Sequence, residues 1–137
     1  MIMEDVLNIF RDNLIRKIRG IDDPEEKLAI AVTLYFRVVH QQREKALLIY
    51  QKSNSLDRAS KARVMELEVE VINVFCQMIN EGITQGVFRE VDVDLMAYNV
   101  MIAAHMWILK RWHFKNRLTL DKYIDLQLSS ILWALRK

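Results

Sequence analysis

One cysteine, one proline and three glycines in 137 residues leave little material for anything but helices. Hairpins joined by tight turns, or a disulfide framework, draw on more of all three. The single Cys76 forms no internal disulfide. Within INVFCQMI, with no clustered positive charge nearby, it reads as a small buried hydrophobe rather than a reactive thiol, and a reducing, cytoplasmic setting follows as the expectation. Charge of one sign is scarce too: 20 basic side chains against 18 acidic leave a formal +2. That excludes the strongly basic surface of a free-standing nucleic-acid binder, and no helix-turn-helix, zinc-finger or RNA-binding signature is present. Glu4 and Asp5 stand where a signal peptide would carry positive charge. No uninterrupted run of about 20 apolar residues is available to cross a bilayer, so a membrane is not expected as a partner.

Catalytic vocabulary is missing as well. His40, His105 and His113 have neither the i, i+4 metal spacing nor the Glu-x-x-His pair of di-iron bundles. There is no glycine-rich phosphate loop and no recognisable nucleophile motif. No catalytic residue, metal or cofactor is assigned, and the chain is not expected to be an enzyme.

What is present is apolar and periodic. Half of the residues are hydrophobic, 52%, and a chain of this size buries roughly two-thirds of its unfolded surface on folding. The class is all-α: an antiparallel bundle of about six helices in a single domain over 1–137. Residues 4 to 19 carry Leu7, Phe10, Leu14 and Ile18 at helical spacing and open without a cap. Gly20 ends that helix. Asp23-Pro24-Glu25-Glu26 reads as the next start, with Asp23 as N-cap and Glu26 closing a capping box, and the helix runs to about Gln41. A shorter piece covers Arg43 to Gln51. Ser53 to Asp57 mark a loop and a new cap. The longest helix then runs from about Ala59 to Gln85, ended by Gly86 with Val87 and Phe88 folding back onto its last turn. Asp92 caps a helix predicted over 92–115, and a last helix starts at Thr119.

The helix from Leu95 to Phe114 is apolar on every face and so must be covered on every face. Ala97, Ala104, Ile108 and Arg111 form a small-residue strip that invites close approach by another helix, and the last helix offers Leu126, Ser129, Ser130 and Trp133. Two such helices from each of two chains close a four-helix homodimer interface. A second face carries Tyr98, Met101, His105 and Trp112 at near-heptad spacing, with Tyr35, Tyr50, Asn73 and Met78 as candidates for the opposite walls. Together they suit an apolar cavity with a few polar handles, a small-molecule site. The plainer alternative makes these core residues, with His105 hydrogen-bonded to a neighbour. Seven methionines fit an adaptable interior, although gap-filling accounts for them equally.

Three patterns in order, GIDDPEEKL at 20–28, EGITQGVFREVDVDLMA at 81–97 and MWILKRWHFKNRLTLDKYID at 106–125, make the chain similar to the C-terminal regulatory domain of the TetR family of transcriptional repressors. Val93 stands where a proline commonly follows the capping Asp, a change that costs little because proline there only pre-sets φ. The resemblance implies a homodimer that senses a small apolar or amphipathic effector. It also implies an N-terminal three-helix DNA-binding domain ahead of Met1, through which operator DNA would be bound, with residues 1–19 the latter part of the helix joining the two domains. In the family, effector binding tilts that helix and moves the recognition helices out of register with half-sites one helical turn apart. The competing expectation is a helical interaction module unrelated to transcription, acting through the Leu126 and Trp133 surface.

Overall fold

The computed structural model describes residues 2–137, with side chains from Glu4 onward. Seven helices follow one another: α1 Ile2–Lys17, α2 Pro24–Gln41, α3 Arg43–Lys52, α4 Arg58–Thr84, α5 Val93–Leu109, α6 Arg111–Phe114 and α7 Leu120–Leu135. No strand is present among the described residues; the one bridge pairs Phe88 with Arg136. None of the helices is long and apolar enough to cross a membrane.

The starts are chemical. Asp23, Asp57, Asp92 and Thr119 each sit in extended backbone and accept a hydrogen bond from an N–H of the first turn, those of Glu25, Ser60, Leu95 and Lys122. Each satisfies a donor that the helix itself cannot. Glu26 does not close the expected capping box: the Asp23 carboxylate takes the Glu25 N–H at 3.2 Å, and Glu26 turns instead to a cleft beside Lys17 and Arg37. The stops at Gly20 and Gly86 use φ of +80° and +76°, where a side chain would be strained. After Gly86, the Val87 and Phe88 N–H groups both donate to the Gly82 carbonyl. The Phe88 ring then lies so close that a Cβ at Gly82 would come within 2.1 Å of it. The turn is pinned to the chain's end by Arg89, whose backbone N–H donates to the Leu135 carbonyl at 2.8 Å.

Helix α2 is the hub, touching α1, α3, α4, α5 and α7. Leu28, Ala31, Val32, Tyr35 and Phe36 on it are 0–1% exposed, and each large apolar side chain so buried contributes about 1.5–3 kcal/mol over its exposed state. Helix α5 packs against α2, α4 and α7 but keeps an open stripe. The helix predicted over 92–115 breaks at Lys110, whose backbone leaves helical geometry at φ −114°, ψ 20°. The one-turn α6 that follows lets Phe114 reach the Tyr123 ring at 5.8 Å, a contact that packs the α6–α7 corner against the bundle. Helix α3, like the one-turn α6, has no buried residue.

Candidate functional site

Five helices each contribute one ring to the middle of the bundle. Phe10 of α1, Tyr35 of α2 and Phe75 of α4 form a triangle with centroids 5.2, 5.7 and 5.8 Å apart, edge-to-face about Tyr35, the geometry aromatic quadrupoles favour. His105 of α5 stands beside Tyr35, and Tyr50 of α3 stands on its other side. The imidazole is hydrogen-bonded at both nitrogens. Nε2 lies 2.9 Å from the Tyr35 hydroxyl and Nδ1 2.5 Å from the Tyr50 hydroxyl. His105 is the polar residue buried within this core, 6% exposed, and the two hydroxyls satisfy it.

Burial makes the cluster electrically neutral. It holds His105 at about 4, so the ring is an uncharged donor and acceptor at pH 7. It raises the Tyr35 phenol strongly, with Tyr50 and Glu68 adding to the effect, and pushes Tyr50 up to about 12, with Glu68 contributing. Glu68 is itself half-buried and raised by burial. Sealed Tyr35 has His105 as its hydrogen-bond partner, whereas Tyr50, 39% exposed, also reaches water. The consistent proton arrangement has Tyr35 donating to Nε2 and the Nδ1–H donating to Tyr50. A neutral chain of this kind places hydrogen-bonding groups inside an otherwise apolar core.

Of the residues expected to line a cavity, Tyr35, Tyr50 and His105 come together, and buried Met101 lies one turn before His105 on the same face of α5. Tyr98 is half-buried. Met78 is buried at a different place, a 310 Å³ cleft between α1 and α4 that also takes in Leu14, Ile18 and Lys27. Asn73 and Trp112 are exposed, the latter 68%, and neither forms a wall. Asn73 lies on the outer side of α4, and the break at Lys110 carries Trp112 away from the α5 face it was expected to share. Phe10 and Phe75 were legible as core, not as neighbours of His105, because periodicity identifies a buried face and not its partner.

The expected contact surface needs the same kind of correction. Ala97, Ala104 and Ile108 are 0–4% exposed within the chain: the small residues serve close packing inside the subunit and are unavailable to a second copy. Arg111 is half-buried on α6. What α5 leaves open is the opposite stripe, Leu95, Asn99, Ile102 and Leu109. On α7, Leu126, Ser129, Ser130 and Trp133 are exposed as that reading requires, Trp133 at 82%.

The chain is an all-helical bundle with a neutral polar chain at its centre and apolar stripes left exposed on two of its last helices. Residues 21–116 match the family described as Tetracyclin repressor-like, C-terminal domain, and the chain belongs to that family of transcriptional regulators. It is 29% identical over 123 residues to the HTH-type transcriptional regulator HbdR of Aromatoleum sp. (strain CIB), a match covering 90% of this chain and 54% of HbdR. The chain thus spans about half the length of that curated relative. The TetR family regulator PfmR of Thermus thermophilus shares the fold with a TM-score of 0.79 at 20% identity, over 99% of this chain and 71% of PfmR. AibR, solved in complex with isovaleryl coenzyme A and operator DNA, gives 0.73 at 18% identity, over 94% of this chain and 70% of AibR. The family match disfavours an interaction module unrelated to transcription.

Proposed function

We propose that this chain is the effector-sensing and dimerising part of a TetR-family repressor, controlling DNA binding by a preceding domain to which residues 1–19 connect. The observation that carries the reading is the Tyr35–His105–Tyr50 chain. A polar chain inside an apolar core costs desolvation that a leucine there would not incur, and its outer end is held by α3, a ten-residue helix with no buried residue of its own. An effector with an apolar body and one neutral polar group takes the place of Tyr50 at His105 and displaces α3. Tyr35 then shifts against Phe10, 5.2 Å away on α1, which passes the change to the connecting helix. AibR's isovaleryl coenzyme A makes short acyl thioesters the first probes. Binding at about 100 times the dissociation constant would add about 2.7 kcal/mol of stability, lost in His105→Leu; a panel of acyl thioesters, free fatty acids and aromatic acids that leaves the melting temperature unmoved would sink the effector reading.

The second copy is proposed to cover Leu95, Ile102 and Leu109 of α5 together with Leu126 and Trp133 of α7. Light scattering at micromolar concentration is expected to give twice the chain mass. Trp133→Asp, which puts a charge in the seam, should give the single mass with unchanged helicity. A wild-type monomer, or a variant that stays dimeric, would overturn this interface.

A further inference from the structure

At the far end of α2 from the chain's acidic capping turn, a cleft of about 250 Å³ is lined by His40, Trp107, Arg111, Lys115, Leu118, Thr119 and Leu120. No acidic residue lines it. The clefts beside Lys17, Lys27 and Arg63 each contain a glutamate, and Lys27 and Arg63 are ion-paired with Glu81 and Glu4. In this cleft neither Arg111 nor Lys115 has a salt-bridge partner among the described residues. The Nε of Arg111 is fully buried and has no hydrogen-bond partner, which costs free energy and leaves the outer guanidinium nitrogens as the donors that can face the cleft.

His40 is oriented for the same task. The Trp107 indole N–H donates to its Nδ1 at 2.9 Å, so the neutral ring carries its proton on Nε2. Burial and the charges of Arg43, Arg111 and Arg37 all hold its pKa below the usual value, a measure of how much positive potential converges there. Helix dipoles explain part of the arrangement. The C-terminal ends of α2 and α5 each bring roughly half a negative charge, and the α7 N-terminus about half a positive one. Those fractions offset only part of the two lining charges, Arg111 and Lys115, and leave the cleft net positive. A net positive, acid-free cleft favours an anion, and Arg with Lys at one mouth is the combination that binds phosphoryl oxygens.

We propose that the cleft between His40, Arg111 and Lys115 is a binding site for a phosphoryl group, separate from the effector position at His105. Arg111 and Lys115 supply charge, and the His40 Nε2–H supplies a directed donor. Leu118 and Leu120 give the cleft an apolar wall, so the phosphoryl group could be the free ion or the end of an organic monoester, and the two are distinguishable. The test follows the three tryptophan indole N–H signals of the full chain by NMR while inorganic phosphate, phenyl phosphate or, at matched ionic strength, sodium chloride is added. Phosphate should shift the Trp107 signal saturably while the Trp112 and Trp133 signals stay in place, and Arg111→Gln should weaken that binding at least tenfold. Lys115→Gln, a change at an exposed position that does not threaten folding, should weaken it about threefold or more. Tighter binding of phenyl phosphate than of inorganic phosphate would identify an organic ester as the ligand class; equal or weaker binding would identify the free ion. A Trp107 shift that chloride reproduces, or one that survives in both variants, would overturn the site.

Discussion

The bundle contains two histidines tied to aromatic donors, and they are built to opposite ends. His105 lies between two phenols in the aromatic core, with no cation among the causes that lower its pKa; burial alone does it. His40 takes an indole N–H at the bundle's edge, and three arginines add to burial in keeping it neutral. Both rings are therefore uncharged at pH 7, but the cost of charging them has different origins. In the core it is the loss of water, which no surface change relieves. At the edge it is partly repulsion between like charges, which an arriving anion would cancel. The first environment suits recognition of a neutral polar group, the second recognition of charge.

The largest test of that contrast is acid. His105 ionises near 6.5 in the unfolded chain and at about 4 in the fold. A depressed folded pKa means that the unfolded state takes up protons first, so the stability is fully present above pH 6.5 and is lost as the pH falls toward 4. The difference is about 3 kcal/mol. Urea melts at pH 7 and pH 4 should show the wild type losing about that much more than His105→Leu, in which Glu4, Asp57 and the other carboxylates still titrate. Equal losses would mean that His105 is not sealed from water.

Next in size are the two phenols. Tyr35→Phe leaves Nε2 facing apolar surroundings and should cost about 1–3 kcal/mol, the penalty of a buried unsatisfied group. Tyr50→Phe removes a partner from the other nitrogen at a place that water can reach, and about 1 kcal/mol or less is expected. Chemical denaturation of both variants ranks them. A larger loss at Tyr50 would place the sealed end of the chain at α3 rather than at α2, and would remove the entry route assigned to the effector.

How far these two sites could be read from the sequence depends on the range of the forces involved. The caps at Asp23 and Asp92 and the stop at Gly86 are local, settled by hydrogen bonds within a few residues, and they read correctly; Thr119, read as the first residue of the last helix, is its cap, and Asp57 is the one of the 53–57 loop residues that caps α4. Tyr35, Tyr50 and His105 stood out as polar groups on apolar faces, although 70 and 55 residues separate the phenols from the imidazole and only the packed bundle sets their distances. Helix α5 resisted reading because apolar residues on all sides leave no periodic cue to its inner face. Ala97 and Ala104 look the same whether the approaching helix belongs to this chain or to another. The break at Lys110 has neither glycine nor proline to announce it. His40, Arg111 and Lys115 converge only because of that break, and along the chain they read as ordinary cations near helix ends.

The smallest effect is also the most selective. Arg111→Gln removes one of the charges that hold His40 neutral, so the His40 pKa should rise, whereas that of His105 should stay where burial puts it. Overall stability should change by about 1 kcal/mol or less: the substitution removes a buried, unpaired Nε along with a charge, so the packing it loses is offset by the unsatisfied donor it no longer buries. An NMR titration of the two imidazoles in wild type and variant reads both values in one sample. Movement of His105 alongside His40 would mean that the core and the edge of the bundle share one electrostatic environment, and the division of labour between them would fail. If neither moved, the arginines would be too well screened by solvent to act on His40, and the Trp107 hydrogen bond and burial alone would have to explain why it stays neutral.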